Sequence, residues 1–90
     1  MRTIIFGSDD CDQCQKQKGI MEKHGLEFEF FDMDGGLLDG KISEEMFAIQ
    51  SENDVSHIPT IMLIGEGGVL KHEGCLSGEK IKQAIEFLGE

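Results

Sequence analysis

Basic residues are scarce in this chain. Eight lysines and arginines stand against eighteen aspartates and glutamates, a formal net charge of −10. Nucleic acids and anionic membranes both select a basic face, so neither is expected as a partner. Long apolar runs are missing too, and none approaches the roughly 20 residues of a membrane span. The opening MRTIIFGSDD has an apolar run too short for a secretory signal and no small-residue cleavage site. The expected compartment is the cytoplasm, where thiols stay reduced. Cysteine is limited to three residues, an odd number that argues against a secreted disulfide framework. Proline occurs once, and no low-complexity tract, internal repeat or linker divides the chain. One domain over residues 1–90, with a small core, is expected.

What is present reads as alternating strands and helices. Thr3 to Phe6 is a short β-branched and aromatic run that stops at Gly7, as a buried strand would. Asp12 to His24 is expected to be a helix with few apolar positions, Cys14, Ile20 and Met21. Gly25 suits the left-handed position after its last turn. Leu26, Phe28 and Phe30 alternate with Glu27 and Glu29, the period of a strand. Asp34 to Gly40 reads as a glycine-rich loop. Ile42, Met46 and Ile49 form the stripe of a helix from about Ser43 to Asn53, with Ser43 as its cap. Thr60 to Ile64 is wholly apolar after the threonine, which predicts a strand buried on both faces. GEGG at 65–68 turns the chain into Val69–Glu73 as a hairpin, and Ile81, Ala84, Ile85 and Leu88 mark a last helix from about Ser77. The order β-α-β-α-β-β-α predicts an α/β fold in which the first two strands and their helix make a right-handed parallel unit.

Three stretches invite a chemical reading. DGKIS resembles the middle of a calcium loop, with Asp39, Gly40 and Ile42 in register. The positions that must then supply oxygen ligands hold Gly35, Leu37 and Met46, so a turn before Ser43 is the better reading. GEGG lies between two strands and lacks the following helix that a phosphate loop needs. The pair Cys11-Asp12-Gln13-Cys14 follows a strand and opens a helix. The unpaired N–H groups and positive dipole of that helix end favour a thiolate at the first cysteine. The second cysteine, one turn further in, is spaced to close a small disulfide with the first. A zinc site built from Cys11, Cys14, His72 and Cys75 is the alternative, since tetrahedral zinc needs four such ligands. A redox-inert adaptor that uses the fold to bind a peptide is a third class.

Strand–CDQC–helix, joined to the single proline in HIPTIML before a buried strand, resembles the thioredoxin superfamily. The element order is similar to its glutaredoxin-sized members, and the resemblance covers residues 2–89. It implies a four-stranded mixed sheet with three helices, and a thiol–disulfide oxidoreductase that reduces protein disulfides. Cys11 is then the nucleophile and Cys14 the resolving thiol. Pro59 would be cis, with Ile58 offering backbone to a bound substrate strand and Thr60 beside it. No metal or organic cofactor is implied. The family geometry puts Cys75 near the site as a third reactive thiol, and His57 where it could exchange a proton with Cys11.

The departures are informative. Thioredoxins usually carry WCGPC and a buried aspartate six residues before the first cysteine; here Asp10 replaces the tryptophan and Ile5 the aspartate. Glutaredoxins often have CPYC behind a basic residue, and aspartates in the segment that here reads Glu73-Gly74-Cys75-Leu76-Ser77. Glutathione is anionic, so Asp9, Asp10 and Asp12 make it a disfavoured partner, together with any glutathione-dependent iron–sulfur dimer. The same acids oppose the helix dipole at Cys11 and point to a reducing couple, partly offset by Lys16 and Lys18. Gln13 before the second cysteine is similar to glutaredoxin-like redoxins that are reduced by thioredoxin reductase and supply ribonucleotide reductase. A monomer is expected.

Overall fold

The computed structural model describes residues 1–38 and 41–89. Strand β1, Arg2–Gly7, is the hub, and Ile4, Ile5 and Phe6 in it are wholly buried. Alternate side chains of a strand point to opposite faces, so a strand covered on both sides must be apolar throughout. Helix α1, Asp12–Lys23, follows, and then β2, Glu29–Asp32, which pairs parallel to β1 with Ile4 opposite Glu29 and Phe6 opposite Phe31. Two short strands come next, β3 at Leu37–Leu38 and β4 at Lys41–Ile42. Helix α2, Glu44–Glu52, leads to β5, Thr60–Gly65, β6, Gly68–Glu73, and α3, Gly78–Gly89. The described strands form one sheet in the order β4-β3-β2-β1-β5-β6, antiparallel except between β1 and β2.

The alternation divides the core in two. Ile4, Phe6, Phe31 and Met62 face α2 and pack with Met46 and Val55. Ile5, Ile61 and Leu63 face α1 and α3 and pack with Met21, Ile81 and Leu88. Arg2 links three elements across one edge of this arrangement, donating to Glu29 on β2 and Glu45 on α2, each at 2.7 Å. The guanidinium in turn holds the Glu45 carboxyl below its ordinary range.

Both early helices end as their sequences dictate. After α1, Gly25 takes φ 65°, its N–H returns to Glu22 O, and Leu26 N–H returns to Met21 O at 2.9 Å. That is a Schellman ending. Ser43 caps α2 by accepting from Met46 N at 3.2 Å.

Three sequence expectations need correction. The sheet has six strands, not four, because Leu37–Leu38 and Lys41–Ile42 pair as a short ladder beside β2. Two-residue strands are too short to leave a periodic signal. The expected loop over Asp34–Gly40 therefore contains β3, while Asp39 and Gly40 themselves lie outside the described residues. The second strand begins at Glu29, not Leu26. Leu26, Phe28 and Phe30 do alternate onto the α1 and α3 core, but pairing with β1 starts only at the Ile4–Glu29 step. Ile42 lies on β4 and is 74% exposed, so the buried side of α2 is Met46 with Ile49.

Candidate functional site

The end of β1 fixes the site. Gly7 finishes the strand, and a side chain there has no room: a Cβ built on it would lie 2.7 Å from Cys14 Sγ and 3.0 Å from the Phe30 ring. Ser8 turns the chain. Its hydroxyl donates to Asp34 Oδ2 at 2.6 Å and accepts from Asp10 N at 3.3 Å, while its carbonyl accepts from Cys11 N at 3.2 Å. Cys11 thus arrives in extended conformation at the N-cap of α1, with its sulfur accepting the backbone N–H of Cys14 at 3.2 Å. Capping normally falls to an oxygen side chain. Here the cap is a sulfur, so a helix donor is aimed at the atom that would carry charge as a nucleophile.

The two thiols have opposite surroundings. Cys11 is half-buried and Cys14 is sealed, and both are free. Burial pushes the Cys14 thiol up to about 11, with the Cys11 sulfur adding to the rise and the backbone of Ser8 opposing it. An outer thiol able to meet a target and an inner one kept protonated is the division of labour that a sequential exchange requires.

Pro59 completes this end of the sheet. β5 pairs antiparallel with β1, with Phe6 opposite Thr60, so Pro59 stands one step beyond that pair, beside the hand-over from Gly7 to Ser8. The Ile58–Pro59 bond is cis. Ile58 is 42% exposed, Pro59 and Thr60 are buried, and the Thr60 hydroxyl donates to His57 O at 2.5 Å. Gly74, after β6, donates its N–H to Pro59 O at 2.7 Å.

The fold that carries these residues recurs in solved structures. The glutaredoxin-like protein NrdH-redoxin from Escherichia coli superposes with a TM-score of 0.62 at 24% identity, over 92% of this chain and 93% of that one. Chloroplastic thioredoxin z matches with a TM-score of 0.67 at 17% identity, over 97% of this chain and 78% of its own. A glutaredoxin from Archaeoglobus fulgidus matches with a TM-score of 0.60 at 19% identity, over 93% and 85%. The chain has a thioredoxin-like fold. No family model matches it, and no curated protein sequence does. Ile5 is wholly buried in the core shared by α1 and α3.

The remaining candidates fall around this centre in different ways. Asp9, Asp10, Asp12 and Gln13 are exposed on the turn and first turn of α1. His57 is exposed, and its Nδ1 is engaged by the Glu73 carboxylate and by the Ser56 hydroxyl at 3.3 Å. Cys75 is half-buried with its thiol against the Gln13 carbonyl, at 3.4 Å. Among the described residues no three His, Cys, Asp or Glu side chains converge closely enough to hold a metal ion. Cys11, Cys14, His72 and Cys75 therefore do not assemble as a zinc set.

Several contributors escaped the sequence reading. Ser8 and Asp34 are far apart in sequence and carry no motif. Glu73 is one charge among eighteen until the hairpin brings it to His57. Gln17 is wholly buried, with Oε1 accepting from Leu76 N at 2.8 Å. A signal for it did exist. Cys14, Gln17 and Met21 share one helix face, so a polar side chain in that stripe marked a position needing a partner.

Proposed function

We propose that the chain is a dithiol thiol–disulfide oxidoreductase that reduces protein disulfides through Cys11 and Cys14. The observation that carries this reading is the sulfur-capped helix: Cys11 Sγ held by the Cys14 N–H, with the Cys14 thiol buried directly behind it. The Cys11 thiolate attacks one sulfur of a target disulfide and the other target sulfur leaves as a thiolate. Cys14 then gives up its proton and attacks Cys11 Sγ, and the second target sulfur leaves. The target gains two electrons and, in water, two protons, and the chain is left with a Cys11–Cys14 disulfide. A second dithiol system must reduce it. Thioredoxin reductase is the proposed reductant, ribonucleotide reductase a candidate acceptor, and the cytoplasm the proposed compartment, with the chain acting as a monomer. No organic cofactor or metal is proposed.

Ile58 and Thr60 flank Pro59 at the edge where a target strand would lie, and the exposed Ile58 gives that edge an apolar contact. The acidic flank of Asp9, Asp10 and Asp12 sets it against anionic substrates, glutathione among them.

The deciding experiment is intact mass and peptide mapping after equilibration in a series of dithiothreitol redox buffers without metal. A reversible Cys11–Cys14 disulfide is expected, and its midpoint states whether the couple donates electrons. Thiols that stay reduced across the series, or purified protein that arrives holding zinc, would overturn the reading. Full function after Cys11→Ser would favour the adaptor instead.

A further inference from the structure

The Gln13–Cys14 peptide group is held at both ends by sulfur. Its N–H donates to Cys11 Sγ at 3.2 Å, and its C=O accepts from the Cys75 thiol at 3.4 Å. The peptide is a conjugated unit, so a donor on its oxygen draws electron density toward that oxygen and makes the N–H a stronger donor. The two contacts therefore reinforce each other across one bond.

Cys75 does not reach this position by chance of rotamer. The residue before it, Gly74, adopts φ 94° and donates to Pro59 O at 2.7 Å. The residue after it, Leu76, donates to the buried Gln17 Oε1 at 2.8 Å. Cys75 is pinned between the segment that carries Pro59 and the helix that carries the thiols, with its sulfur turned to the one carbonyl that adjoins the Cys14 N–H.

We propose that Cys75 is a positioning residue for Cys11, acting through the Gln13–Cys14 peptide rather than by exchanging disulfides itself. Its S–H strengthens the hydrogen bond that holds charge on the attacking sulfur. This rests on the oxidoreductase reading and adds to it a residue that acts through the backbone beside the thiols.

The test is the rate of alkylation of Cys11 by iodoacetamide, a neutral reagent, across a pH series on the fully reduced chain. The modification is read at Cys11 by tandem mass spectrometry. Cys75→Ala and Cys75→Val remove the donor, and Cys75→Ser keeps one. The charged and titratable groups on the same turn and helix as Cys11, namely Asp9, Asp10, Asp12, the Cys14 thiol, Lys16 and Lys18, are common to all four proteins, as are Asp34 bound to Ser8 and the His57–Glu73 pair beside the Pro59 segment. Both donor-less variants are expected to alkylate Cys11 about 1.5- to 3-fold more slowly below the midpoint of the profile, with that midpoint moved to higher pH. The serine variant is expected to follow the parent chain. An unchanged profile in Cys75→Ala and Cys75→Val would overturn the proposal. So would a serine variant that slows with them, because loss of packing would then be the cause. The reversible Cys11–Cys14 disulfide, followed in redox buffers on the same proteins, tests the oxidoreductase reading separately: it survives if only the Cys75 inference fails.

Discussion

A buried thiol resists ionisation because its thiolate would lose hydration with little in return. Cys14 carries that cost, and it links the chemistry of one residue to the stability of the chain. The folded thiol sits at about 11, against an ordinary value of 9.0. Below about pH 9 the thiol is neutral in both folded and unfolded chains, so the folded state keeps the full benefit. As pH rises through the window between the two values, the unfolded chain releases its proton first and stability falls. The loss should approach about 2–3 kcal/mol by the top of that window. Denaturant titrations of the reduced chain and of Cys14→Ser across the window check this. The parent should lose that increment relative to the serine variant, and parallel curves would contradict it. The same residue gives a kinetic prediction. Cys14→Ser should accumulate a covalent adduct between Cys11 and a target, visible by mass, while Cys11→Ser should form none.

At the scale of elements, the site depends on how closely β1 and α1 approach. Gly7 lets Cys14 Sγ rest against the end of the strand. Gly7→Ala should cost about 1–3 kcal/mol by overpacking and should slow closure of the disulfide, because the inner sulfur must shift. Denaturation and a thiol-quench time course read the two effects. A stable variant with normal closure would mean that α1 slides freely on the sheet. Ser43→Ala tests a simpler element, the cap of α2, and should cost about 1 kcal/mol with no effect on the thiols. Much of this level was readable in advance. Thr60–Ile64 announced a doubly covered strand, Gly25 announced the end of α1, and Cys11 fell where a strand gives way to a helix. What could not be read was set by pairing between distant segments. Leu37–Leu38 becomes a strand only because β2 offers it an edge, and Phe31 is buried on the face opposite Phe30 only because β1 fixes the register. Around the thiols, CDQC and Pro59 were legible as local patterns. The Ser8–Asp34 bond and the Gln17 clasp on Leu76 were not, since each joins segments far apart in sequence.

Across the whole molecule, charge is the dominant feature. A net −10, with Asp9, Asp10 and Asp12 exposed around the candidate nucleophile, sets a field that approaching substrates must cross. A cationic disulfide such as cystamine should react with the reduced chain faster than the anionic glutathione disulfide. The gap should narrow as salt shortens the screening length from about 30 Å to below 10 Å. Stopped-flow rates with both probes at low and high salt decide it. Equal rates at low salt would mean that the acids serve solubility alone. The described helices include none long and apolar enough to cross a membrane.

The seclusion of Cys14 also sets a clock. In the proposed exchange, once Cys11 engages a target the adduct should persist until the inner thiol sheds a proton that burial in the free chain holds tightly. While the thiolate is the minor form, each unit of pH should shorten the lifetime of the adduct about tenfold. Under the proposed exchange, the depth of one sulfur would set how long the chain keeps hold of its target.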